Sequence, residues 1–172
     1  KKVHDRLRFN NNSLVISNGI DSIKFAPNKN YRKSFRDKYN ISPDSRVYIC
    51  AARVDPMKDH NTLLRAFEMV KKSSSNTYLI LAGLGTEKFS NIDRVITLGK
   101  FNNISMAYCA ADFIICSSAF GEGFSNSLAE GMVTGLVPIS TDVGDAKYII
   151  QDIGKLVEVK NTKDMIKALR WS

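Results

Sequence analysis

The chain is poor in the residues that build metal and redox sites. Its 172 residues include only three cysteines, none in a Cys-x-x-Cys spacing, and two histidines, His4 and His60, far apart. A Cys/His metal cluster and a Cys/His nucleophile pair are therefore both poorly supported. Cys50 follows Tyr48 and Ile49, and Cys116 follows Ile114 and Ile115. Such apolar settings predict buried thiols, Cys109 included, in a reducing compartment. No run of 18 apolar residues occurs, so no membrane-spanning helix is predicted. The basic start leads into Asn10, Asn11 and Asn12 rather than an apolar stretch, which argues against a signal peptide. Acidic residues are outnumbered, 17 against 25 Lys and Arg, for a formal net charge of +8. That excess favours anionic partners, although a solubilising surface accounts for it as well. The basic cluster at residues 31–38 also has helical spacing (Tyr31, Phe35, Tyr39), so a helix with a wet basic face explains it equally.

With 44% hydrophobic residues the chain can bury one independent core, and a single domain is expected. Apolar runs suited to buried strands lie at residues 14–16, 47–51, 78–82, 95–98, 113–116 and 137–140. Helical periodicity falls mostly between them, at residues 61–72, 104–110, 125–134 and 162–171. Alternation of this kind predicts an α/β fold: a doubly wound parallel sheet of about six strands, Rossmann-like in wiring. Ligands of such sheets bind beyond the carboxyl ends of the strands, which directs attention to the loops that follow them.

The most telling loop contains Glu122, Gly123, Phe124 and Ser125 and runs into a helix bearing Glu130. Ser125 reads as the N-cap, and Leu128 and Met132 as part of the buried face. A helix start presents free N–H groups and the positive end of a dipole, so a phosphate would be stabilised near Gly123, Phe124 and Ser125. Carboxylates beside an anion should then accept hydrogen bonds from neutral donors such as sugar hydroxyls. At the helical rise, Glu130 sits roughly 7 Å from the N-terminus. That suits a ligand with a sugar at one end, a diphosphate in the middle and a ribose at the other. Retaining glycoside hydrolysis needs two carboxyl groups about 5 Å apart across one bond, which the eight-residue spacing disfavours. Ser127, Gly131 and Thr134 form a small-residue stripe that would let something approach the helix closely.

Arg53 and Lys58, spaced Arg-x4-Lys after the strand at 47–51, can reach a phosphate at that helix start, one as a planar fork and one as a compact charge. They would neutralise a diphosphate without a metal. Gly83 and Gly85 begin like a GxGxxG fingerprint, but Lys88 occupies the third position and the loop follows a middle strand. They are read as glycines that make room for a ligand or a neighbouring backbone.

Together these pieces resemble the C-terminal, donor-binding half of a group 1 retaining glycosyltransferase, an enzyme of two Rossmann-like domains. The resemblance rests on the segment 15–21, Arg53 to Lys58 with the following 59–64, Gly83 and Gly85, Gly99, the Glu122-x7-Glu130 pair and the segment 141–144. It implies that Glu122 holds donor-sugar hydroxyls and Glu130 the ribose diol. It also implies that Arg53 and Lys58 grip the diphosphate, assisted by N–H groups from Gly123 to Asn126, with Leu128 in the same donor-binding set. The backbone around Lys100 and Phe101 would meet the base. The donor would be a UDP- or GDP-sugar, with no metal and no other cofactor, and no nucleic acid partner is expected. The resemblance further implies residues 1–13 as a linker or the end of an N-terminal acceptor-binding domain, with residues 14–172 as the nucleotide-sugar domain. Since Lys1 follows no Met, the chain reads as an excised fragment or half of a split enzyme, able to bind nucleotide but not to turn over. A cytoplasmic place is expected, with the basic excess suited to peripheral contact at an anionic inner membrane face. Where the family often has a second glycine after Gly144, this chain has Asp145, which leaves that loop without an assigned role. Two other readings are a noncatalytic module of the same fold and a nicotinamide-dependent oxidoreductase domain. The latter lacks its fingerprint after the first strand and the acidic residue about 20 positions beyond.

Overall fold

The computed structural model describes residues 16–171. They contain six helices, α1 (Lys29–Lys38), α2 (His60–Lys71), α3 (Ile104–Ala110), α4 (Asn126–Val133), α5 (Ala146–Ile150) and α6 (Thr162–Trp171). Six strands alternate with most of these: β1 (Arg46–Ala51), β2 (Thr77–Ala82), β3 (Val95–Gly99), β4 (Phe113–Cys116), β5 (Val137–Thr141) and β6 (Lys155–Val157). All pair in parallel, in the order β3-β2-β1-β4-β5-β6. The fold is thus one α/β domain with the strand order of a Rossmann sheet.

The alternation of side chains along β1 shows why both faces are covered. Tyr48 and Cys50 join a core with Leu63 and Phe67 of α2 and Met165 and Leu169 of α6. Val47 and Ile49 point the other way, into a core with Phe35 of α1, Tyr108 of α3, Leu128 of α4 and Ile150 of α5. The strands read as near-continuous apolar runs because neither face meets water.

The expected number of strands is found, but one is a different segment. Leu14 and Val15 lie outside the described residues, and Ile16 is in a loop, 81% exposed. The sixth strand is β6, at the sheet edge. Its three residues pair on one side only, with β5, and so carry too short an apolar run to stand out. Residues 1–13 likewise lie outside the described part.

The basic cluster at 31–38 proves partly internal. Asn28 caps α1 by accepting from the amides of Asn30 and Tyr31. Arg36, 3% exposed, donates to the carbonyls of Ala110, Ser42, Pro43 and Ser45 and pairs with Asp112 at 3.2 Å. Arg32 reaches the same carboxylate at 2.7 Å. These two cations tie α1 to the end of α3, while Lys33 pairs with Asp37 on the outer face.

The order β3-β2-β1-β4 requires the chain to return from the sheet edge and resume beside β1. The reversal leaves a crevice at the carboxyl ends of β1 and β4, where the loops from both strands diverge.

Candidate functional site

A cavity of about 380 Å³ opens on the β1 side of this crevice. Its walls come from the ends of three strands and two helices: Arg53 after β1, Gly83 and Leu84 after β2, Lys100 and Phe101 after β3, Tyr108 of α3, and Asn126, Ser127 and Glu130 of α4. Residues that sequence reasoning drew from segments up to 77 positions apart (Arg53, Gly83, Lys100, Phe101, Asn126 and Glu130) thus line one hollow.

Glu122 and Lys58 are not in its wall. They form a pair of their own between the β1 and β4 loops, with Nζ 2.5 Å from Oε1 and side chains 18% (Lys58) and 9% (Glu122) exposed. A shell of hydroxyls fixes this pair. Ser118 donates to the same Glu122 oxygen, Ser117 donates to the Lys58 carbonyl at 2.8 Å, and Thr141 of β5 donates to the Ser118 carbonyl at 2.6 Å. An ammonium has three donors, so the contact with Glu122 leaves Lys58 two for another acceptor. Arg53 is 60% exposed at its side chain and meets Asp55 at 3.5 Å, so its guanidinium remains largely available.

The loop after β5 acquires a role that the sequence left open. Gly144 has φ +61°, and a Cβ there would lie 2.5 Å from the Glu122 carbonyl oxygen and 2.7 Å from that of Gly123. The Asp145 amide donates to the Gly123 carbonyl at 3.2 Å. Gly144 and Asp145 therefore form the floor on which the Glu122 loop rests.

Ser125 occupies the N-cap of α4, as expected, but its side chain caps nothing. Its hydroxyl faces the Cys116 sulfur at 3.9 Å and the Ser127 hydroxyl at 3.5 Å. The N–H groups of the first helical turn are thus left without a side-chain cap, which preserves their capacity for an anion.

Three expectations for this helix need correction. Leu128 is fully buried in the core with Ile114 and Tyr108, because its position on the inner stripe faces the sheet; its side chain cannot touch a donor. Gly131 does not make room for a ligand. A Cβ there would sit 2.7 Å from Ile114, so the missing side chain lets α4 lie against β4. Thr134 is buried and returns its hydroxyl to the Glu130 carbonyl, so only Ser127 of the small-residue stripe faces the cavity. Gly83, for its part, has φ +146° and abuts the Ala52 carbonyl, and Gly85 abuts Val54; the chain's own backbone and side chains use the space they make. Gly85, Gly123, Phe124 and Ser125 lie outside the cavity wall.

Glu130 carries the clearest electrostatic signature. Burial pushes its carboxyl above the usual range, while a hydrogen bond from Tyr108 and the charge of Lys24 partly offset that rise. The Tyr108 hydroxyl donates to Oε2 at 3.1 Å, and its own acidity is suppressed by burial and by Glu130. Tyr108 was missed from sequence because, 22 residues from Glu130, nothing sets it apart from the other apolar residues of α3. Ser117 and Ser118 were missed because two serines after a strand read as ordinary loop polarity, and Thr141, part of the 141–144 segment, was given no contact of its own.

Among the described residues no group of three His, Cys, Asp and Glu could hold a metal ion, and no helix is long and apolar enough to cross a membrane. His60 is buried against the ring of Phe89.

Comparison with known proteins gives the chain's relatives. An undecaprenol-linked N-acetylgalactosaminyltransferase of Campylobacter jejuni is 27% identical over 168 residues, 91% of this chain and 43% of that protein. The lipopolysaccharide core mannosyltransferase LpsB of Rhizobium meliloti is 23% identical over 91% of this chain and 49% of its own length. The chain thus spans less than half the length of these relatives. The solved C-terminal domain of the glycosyl transferase LpcC from Francisella tularensis superposes with a TM-score of 0.74 at 23% identity, covering 89% of this chain and 87% of that domain. Anabaena HepE, solved with UDP-glucose, gives 0.80 at 19% identity over 92% of this chain and 47% of HepE. Residues 45–171 match the family described as glycosyl transferases group 1, so the chain belongs to the group 1 glycosyltransferases.

Proposed function

We propose that this chain is the donor-binding domain of a retaining glycosyltransferase that moves a sugar from a nucleoside diphosphate to a glycan or lipid-linked acceptor. One juxtaposition carries the reading: the uncapped start of α4 falls between Glu122 and Glu130 along the chain, with Asn126 and Glu130 on the cavity wall and Ser125 joined through Cys116 and Ser118 to the Lys58–Glu122 pair. The diphosphate would take the first-turn N–H groups together with Arg53 and the two spare donors of Lys58. Glu122 would then hold donor-sugar hydroxyls on one side and Glu130 the ribose diol on the other. The base would lie on the wall formed by Lys100 and Phe101. As the bond between the anomeric carbon and the phosphate oxygen breaks, its electron pair passes to the leaving diphosphate, while the oxygen of an acceptor hydroxyl bonds to that carbon and its proton passes to the departing phosphate. Amides and cations already fixed around the leaving oxygen stabilise the growing charge, which accounts for catalysis without a metal.

In this reading an acceptor-binding domain joins through residues 1–13, and the isolated chain binds nucleotide but transfers nothing. A role in bacterial-type surface glycan assembly, with the enzyme in the cytoplasm against an anionic membrane face, fits the relatives that act on lipid-linked or lipopolysaccharide acceptors by name. Titration calorimetry with UDP and GDP tests the core of it. One of the two should bind, and the double variant Arg53→Ala/Lys58→Ala should weaken that binding at least tenfold, about 1.4 kcal/mol. Absence of heat with both nucleotides would refute the assignment.

A further inference from the structure

We infer that Tyr108 is the positioning residue that fits Glu130 to a ribose and lets the site distinguish it from 2′-deoxyribose. The inference rests on the reading of Glu130 as the diol acceptor.

Binding both hydroxyls of a vicinal diol requires a carboxylate whose two oxygens are held at a fixed orientation, one for each hydroxyl. A glutamate on an exposed helix face has three free torsions and no such constraint. Here one oxygen is anchored. Tyr108 donates to Oε2 at 3.1 Å, leaving that oxygen a further lone pair and Oε1 free of side-chain partners. The anchor is rigid, since Tyr108 is fully buried, belongs to the core beneath α3 and packs its ring against Phe25, 5.9 Å between centroids. The same hydrogen bond favours the ionised carboxylate that burial opposes, and an ionised carboxylate is the stronger acceptor for hydroxyl donors. Other charged groups at this site, Lys24, Arg53 and Lys100, lie on separate segments and bring positive charge without fixing orientation.

A merely structural tyrosine, one that used Glu130 to satisfy its own buried hydroxyl, would affect all nucleotides alike. The test is therefore a ratio. Dissociation constants for UDP and 2′-deoxy-UDP are measured on this chain, on Tyr108→Phe and on Glu130→Gln, each first checked by thermal melting. GDP and 2′-deoxy-GDP replace them if GDP is the nucleotide that binds. The parent should prefer the ribonucleotide by about tenfold or more, the span of a hydrogen bond to a charged group. Tyr108→Phe should cut that preference to about threefold or less while leaving the 2′-deoxynucleotide affinity within about twofold. Glu130→Gln should also lose the preference.

If Tyr108→Phe fails to fold because it strands a buried carboxylate, Tyr108→Phe/Glu130→Gln removes that cause. It should then match Glu130→Gln alone in both affinities, and a further drop would overturn the inference. An unchanged ratio in Tyr108→Phe, or an equal loss for both nucleotides, overturns the role of Tyr108 and leaves Glu130 as diol acceptor untouched. A parent that binds both nucleotides equally, or neither, removes the diol reading and this inference with it.

Discussion

Gly144 offers a sharp test of how the Glu122 loop is held, because a neighbouring glycine supplies the control. Gly144→Ala would place a methyl group 2.5 Å from the Glu122 carbonyl oxygen and 2.7 Å from that of Gly123, where ordinary contact begins near 3.4 Å. Both obstacles are backbone atoms and cannot rotate aside. The left-handed φ of +61° adds roughly 1 kcal/mol for any residue with a Cβ, and overpacking of this kind costs typically 1–3 kcal/mol. A loss of about 2–4 kcal/mol in a domain of this size lowers the melting temperature by roughly 5–12 °C. Glu122 is carried on the displaced carbonyl, so binding of the proposed nucleotide-sugar donor should weaken as well.

Gly123→Ala differs in each respect. Nothing lies within 4 Å of its Cβ position, and its backbone is outside the left-handed region. The fold should keep or slightly gain stability, about 0.4–1 kcal/mol, because the unfolded chain loses freedom. Yet the new methyl group would stand beside the start of α4, where the anion is proposed to bind. Differential scanning calorimetry and nucleotide titration of the two variants should therefore separate a loss of folding from a loss of binding. A Gly144→Ala protein melting within 1 °C of the parent, with the parent's affinity for the nucleotide sugar, would refute the reasoning.

Three further outcomes are expected. Asp112→Ala strands the buried guanidinium of Arg36 and removes the acceptor of the Val47 amide; urea denaturation should show a loss of about 3 kcal/mol, a midpoint roughly 1–2 M lower. Because the folded carboxyl of Glu130 titrates above its ordinary 4.5, the native state holds that proton more tightly than the unfolded chain. Its stabilising effect is complete below the ordinary value and is lost as pH rises through the folded one. Melting curves across that window should show Glu130→Gln gaining on the parent toward neutral pH and not below pH ~4. Finally, Cys50, Cys109 and Cys116 are all buried, and burial pushes the Cys50 thiol up to about 12. A colorimetric disulfide reagent should find little reactive thiol in the native chain and three thiols after denaturation.

The division between what was legible in the sequence and what was not follows the range of the interactions. The alternation of apolar runs with helical periodicity was sufficient for a parallel, doubly covered sheet, because burial of both faces writes itself into consecutive residues. The same local reading located α4, its cap position at Ser125 and the two glutamates on either side of the helix start. It placed Leu128 on the buried face, where the structure has it, but failed at β6, where an edge strand of three residues carries too little apolar pattern, and at Gly131 and Thr134, where periodicity alone could not say whether a small-residue stripe met a ligand or the sheet.

Tertiary structure alone decided that Lys58 meets Glu122 across 64 residues, that Tyr108 holds Glu130, and that Gly144 supports the Glu122 loop. Sequence order determined which loops emerge at the carboxyl ends of the strands. The pairing of their side chains depended on distances of a few tenths of an ångström, set by how α3, α4 and the β5 loop pack on the sheet, and no local pattern records such distances.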